Sequence, residues 1–145
     1  MASTYDISPT YQGTAFQNAA GRLHTVVIDV NFATNSTLSS GLAQNETLTL
    51  WELPASCTLM GAKIKVTTAQ SDISDVDLGY STNGSANDGL LDGVSLVSTG
   101  YVYTAGIAAI LPLAATNYLV FTNKDAQTIS TAIFKVIVTY LDETA

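Results

Sequence analysis

Apolar and polar positions alternate with a period of two along several stretches of this chain. Val26, Ile28, Val30 and Phe32 share one parity, with Val27, Asp29 and Asn31 between them. Ala62, Ile64 and Val66 alternate with Lys63, Lys65 and Thr67, and Val76, Leu78 and Tyr80 with Asp75 and Asp77. Successive strand side chains point to opposite faces, so each run predicts a strand with a buried side and a wet side. Further strands are expected at 47–53, 98–104, 107–113, 118–122 and 132–141. Leu53-Pro54-Ala55-Ser56 marks a turn, because Pro fixes its own φ and cannot donate to a ladder. The run Asn83–Gly89 is dense in turn residues. A short helical turn is expected at Leu90–Gly93.

The stretch from Leu48 to Tyr80 reads as three strands of one sheet. With a hairpin near Ser71, Lys65 falls opposite Asp77 on its outer face. About eight short strands separated by turns, with no convincing helix, predict a single-domain antiparallel β-sandwich, jelly-roll-like, over residues 22–145. Residues 1–21 read as an irregular N-terminal arm, broken by Pro9. Tyr5, Tyr11 and Phe16 are spaced through it, which is unusual for a purely solvated tail. The arm is either frayed or docks these aromatics on a neighbouring subunit. The last strand carries Phe134, Val136, Val138 and Tyr140 on one face and Ile133, Ile137 and Leu141 on the other. A strand apolar on both faces is covered on both. Either it lies deep inside the domain, or Ile133, Ile137 and Leu141 meet another subunit.

Composition narrows the function classes. The 145 residues suffice for one domain with a real core. Hydrophobic residues make up 47%, but charged ones only 12%, about half the usual share. A surface poor in charge suits cover by a partner. The net charge of −7 repels a phosphate backbone, so nucleic acid is not expected as a partner. No stretch approaches the roughly 18 apolar residues that span a bilayer, because 101–120 is broken by Gly106, Pro112 and Asn117. The N-terminus has neither a basic region nor an apolar run, so no signal peptide is expected. The single cysteine, Cys57, allows neither an internal disulfide nor a Cys-based metal site and reads as an apolar filler.

Candidate chemistry is thin. His24 is the only histidine and has no triad or metal partner near it, so it reads as structural. Asp72, Asp75 and Asp77 are carboxylates of the kind that run glycoside chemistry or hold Ca²⁺, but their spacing is not that of an EF-hand. Charge pairing on an outer face plus a solvated turn explains them as well. Asn83, Ser85, Asn87, Asp88 and Asp92 form an oxygen-rich loop whose composition suits calcium and also any long turn. Trp51, Tyr80, Tyr101, Tyr103 and Tyr118 suit a sugar platform or, more commonly, a core or interface. No catalytic, cofactor or metal motif is present, and a non-enzymatic protein is expected.

The pattern of strand ends and turns carries a resemblance. Leu50-Trp51-Glu52-Leu53-Pro54 leads to Leu59-Met60-Gly61, then to the strand end Asp77–Thr82, the stretch Asp88–Asp92 and the strand Ser98–Tyr103. This resembles small virion structural proteins of tailed bacteriophages and is similar to jelly-roll proteins that decorate or cement capsids. The resemblance covers residues 48–140. It implies a virion part made in the host cytoplasm, a homo-oligomer with a trimer expected, and a major capsid protein or other virion protein as partner. A tail, neck or fibre component and a carbohydrate-binding β-sandwich module stay open as alternatives.

Overall fold

The computed structural model describes residues 4–6, 22–103, 111–113 and 115–142. Among the described residues there are ten strands: β1 (Thr4–Asp6), β2 (Arg22–Asn31), β3 (Thr47–Leu53), β4 (Cys57–Thr68), β5 (Val76–Ser81), β6 (Leu91–Val94), β7 (Gly100–Val102), β8 (Leu111–Leu113), β9 (Asn117–Asn123) and β10 (Ile133–Asp142). One 3₁₀ turn, Ser36–Leu38, is capped by the Asn35 side chain.

The strands form two sheets, ordered β1-β3-β9-β5-β6 and β2-β10-β4-β7, with β8 beside β4. The antiparallel pairs β2–β10, β3–β9, β4–β7 and β5–β6 are nested within one another along the chain. That nesting is a long hairpin wrapped around a barrel axis, the eight-stranded jelly roll that the strand count suggested. Alternation decides which side faces in. Val26, Ile28, Val30, Ile64, Val66, Phe134, Val136 and Val138 of one sheet are buried against Leu48, Leu50, Leu78, Leu119 and Phe121 of the other. The Phe121 and Phe134 rings meet between the sheets, with centroids 5.0 Å apart, and Phe32 lies 6.3 Å from Phe134.

Three expectations are corrected. Residues 48–80 are not one sheet, since β3 and β5 lie in the first sheet and β4 in the second. The expected hairpin turn contains Ile73, which is fully buried and exchanges backbone hydrogen bonds with Gln70 and Leu96. Burying that side chain carries the 69–75 connection across the end of the sandwich instead of folding it back. Leu90–Gly93 is not helical, because Leu91 and Val94 pair with β5 as β6 and fill the core. Within the N-terminal segment, β1 runs parallel to β3 and pairs Tyr5 with Leu48. The strands expected at 98–104 and 107–113 are described only over 100–102 and 111–113.

Candidate functional site

The outward side chains of the β2-β10-β4-β7 sheet form rows across the strands. Asp29, Lys135, Lys65 and Tyr101 make one row, and Val27, Ile137 and Lys63 the next. Thr25, Thr139 and Gly61 follow, and Leu23 and Leu141 lie side by side beyond them. Ile133, Ile137 and Leu141 are therefore on the outer face, partly exposed, while Phe134, Val136 and Val138 of the same strand are fully buried. β10 is central in its sheet, and its apolar outer residues are only partly covered.

Polar groups on this face are only partly used within it. Lys135 is paired with Asp29, and the Thr25 and Thr139 hydroxyls are 3.2 Å apart. Lys63 and Lys65 instead bring their ammonium groups to 4.9 and 5.5 Å from the Tyr101 ring centroid, where cation–π attraction holds them. Tyr101 and Tyr103 remain 54% and 67% exposed.

A concavity of about 460 Å³ opens on the same face, lined by Met60, Gly61, Ala62, Lys63, Tyr103, Ile137 and Thr139. Its origin is local. Leu59 pairs with Tyr140 and Gly61 with Thr139, so Met60 is an extra residue, a β-bulge. On the opposite edge of β4, β7 pairs with Ile64–Val66 and β8 with Cys57–Leu59. Among the described residues, Met60–Lys63 lie between those two ladders and are paired by neither.

The acidic residues cluster elsewhere. Asp77 is buried and lies opposite Thr122 of β9, not opposite Lys65. β4 and β5 belong to different sheets, so the expected cross-strand ion pair does not form. The Asp77 carboxylate accepts the Gly93 N–H at 3.0 Å. Burial pushes its pKa up, the Gly93 hydrogen bond opposes this, and Asp92 and Asp75 add to the rise. Asp72 and Asp75 are exposed on the preceding loop. The oxygen-rich loop turns its groups on itself. Asn87 Oδ1 accepts the N–H of Tyr80 and of Gly89, and Asn83 Oδ1 accepts from Ser81 and Ser85. Among the described residues, no group of three His, Cys, Asp or Glu converges as a metal site.

His24 stacks on Tyr140 at 5.0 Å between centroids and 7° between planes, at the end of the β2–β10 pair. Its Nε2 is buried without a hydrogen-bond partner. Cys57 is fully buried at the start of β4. Trp51 and Tyr80 are half-buried against the core, which leaves Tyr101 and Tyr103 as the exposed members of the aromatic set. Tyr5 is described only by its backbone pairing in β1, and Tyr11 and Phe16 lie outside the described residues. Sequence reasoning missed the concavity, because a bulge at Met60 leaves no mark on the alternation.

No family model matches the chain, and no curated protein matches it by sequence. Solved bacteriophage capsid structures do contain chains of the same fold. One, in the capsid of Ralstonia phage GP4, superposes with a TM-score of 0.71 at 15% identity, covering 99% of this chain and 100% of that one. Another, in the cyanophage Pam1 capsid asymmetric unit, gives 0.55 at 14% identity over 91% and 93% of the two chains. A third, in the acidic stable capsid structure of Helicobacter pylori bacteriophage KHP30, gives 0.53 at 14% identity over 92% and 95%. At these identities the likeness is one of fold.

Proposed function

We propose that this chain is a non-enzymatic structural component of a bacteriophage virion, and that it decorates or cements the capsid shell. The observation that carries the reading is the end-to-end match to a chain in a phage capsid, in which neither chain has a large unmatched part. The outer face of the β2-β10-β4-β7 sheet supports it, being apolar in stripes and poor in internal pairing. In this reading the chain is made in the host cytoplasm and assembles as a homo-oligomer, with a trimer expected. Ile133, Ile137 and Leu141, together with Tyr5, Tyr11 and Phe16 of the N-terminal segment, make the oligomer or capsid contacts. The mechanism is mechanical. Surface buried across adjacent capsid subunits must be re-exposed before the shell opens, so binding stabilises the closed state.

Particles prepared without the chain are expected to release their genome at a lower temperature, and adding the purified chain back restores tolerance. Equal tolerance with and without it contradicts the cement role. The exposed pair Tyr101 and Tyr103 favours one second reading, a tail or fibre component or a carbohydrate-binding module. Glycan binding that is lost on Tyr101→Ala or Tyr103→Ala supports that alternative.

A further inference from the structure

Charge is distributed unevenly over the molecule. The outer face of the β2-β10-β4-β7 sheet carries Lys63, Lys65 and Lys135 against Asp29. Among the residues whose side chains are described, this face therefore carries three basic groups and one acidic one, a net +2. Elsewhere among the described side chains, Lys124 stands against nine carboxylates. Lys63 stands at the rim of the Met60–Tyr103 concavity, with Ile137 beside it as its cross-strand partner. The volume of about 460 Å³ lies within the range of roughly 300–1,000 Å³ typical of ligand pockets. Tyr101 holds both ammonium groups at the surface by its ring, so their charge is presented without being neutralised.

We propose that this face docks an acidic protein segment that carries an apolar or aromatic side chain. That side chain enters the concavity between Met60, Ile137 and Tyr103, and its flanking carboxylates meet Lys63 and Lys65. Complementary charge steers encounter and sets register, while the buried side chain supplies the contact area. A second copy docked face to face is disfavoured, because it sets lysine against lysine. The proposal rests on the virion reading only in taking the segment to belong to a neighbouring shell protein.

The test uses the ¹⁵N-labelled full chain and three peptides. One has a central tryptophan flanked by aspartates and glutamates. The second replaces those acids by asparagine and glutamine, and the third replaces the tryptophan by alanine. The acidic tryptophan peptide is expected to shift the amides of Met60–Lys63, Tyr103, Ile137 and Thr139, with affinity falling as salt rises. The other two peptides, and a Lys63→Glu/Lys65→Glu variant, are expected to bind about tenfold more weakly or worse. Unchanged amides around Phe121 and Phe134 report that the variant is folded. Three outcomes overturn the proposal: no shifts on this face, equal shifts with the neutral peptide, or equal binding by the charge-reversed variant. Shifts at these amides that grow with protein concentration alone identify a second copy as the occupant and also overturn it. A chain absent from virions sinks the virion reading and leaves the peptide result standing. A chain present in virions with no peptide response sinks the docking proposal alone.

Discussion

Two buried amides join loops that would otherwise be separate. Asn123 is fully buried at the end of β9, where Nδ2 donates to the Leu42 and Gln127 carbonyls and Oδ1 accepts the Asp125 N–H. Gln70 does the same from the other side, donating to the Thr128 carbonyl and accepting from the Ser130 and Thr131 N–H groups. Asn123→Ala leaves several buried groups unpaired, and at about 1–3 kcal/mol for each such group it is expected to cost about 3 kcal/mol in urea unfolding. A loss below about 1 kcal/mol contradicts the clamp. Asp77 behaves in the opposite sense. Its folded pKa is raised, chiefly by burial, so ionised Asp77 opposes folding above that value and the penalty fades as pH falls through it. Asp77→Asn keeps an acceptor for the Gly93 N–H. Its Tm is expected to exceed that of the parent chain at neutral pH, with the difference closing in acid below the usual carboxylate range. A lower Tm at neutral pH contradicts this account. At this scale much was legible. The buried parity of Val26–Phe32 and the place of His24 at the start of its strand follow from strand alternation, whereas the roles of Asn123 and Gln70 depend on partners 58 to 81 positions away and leave no local sign.

Elements show where local pattern stops informing. The runs that became β2, β4 and β10 were readable because each buries mainly one face, and those that became β3, β5 and β9 because each is a short, largely buried run bounded by turn residues. Which strand lies beside which was not, because a jelly roll pairs strands far apart in the chain, such as β2 with β10. Ile73 is the exception that could have signalled the change of sheet, as a lone apolar residue in a polar connection. Gly79 records a close approach of the same kind. A Cβ there would lie 2.2 Å from Asn87 Oδ1 and 2.4 Å from the Asn87 carbonyl oxygen, so the 82–90 loop packs directly on β5. Gly79→Ala is expected to displace that loop and destabilise by about 1–3 kcal/mol, as overpacking does. Faster hydrogen exchange should appear at Tyr80 and Gly89, whose N–H groups Asn87 accepts. An unchanged exchange pattern with full stability contradicts close packing of the loop.

The whole molecule combines a wrapped two-sheet core, one sheet face with open apolar stripes and three lysines, and an acidic remainder. Low charge content and the doubly apolar last strand are legible in the sequence, and the structure places Ile133, Ile137 and Leu141 partly exposed on the outer face. The concavity and the polarity of charge did not emerge until the strands were placed, since both arise from residues on different strands. The fold is shared end to end with a chain in a phage capsid, and the function proposed follows from that likeness together with the open face. The most direct measurement is quantitative mass spectrometry of virions purified from cells that produce the chain, with electron microscopy of the same particles. The account predicts the chain in fixed proportion to the major capsid protein, with sandwich-shaped density seated on the shell through the β2-β10-β4-β7 face. Virions that lack the chain, or carry it with that face turned to solvent, contradict it.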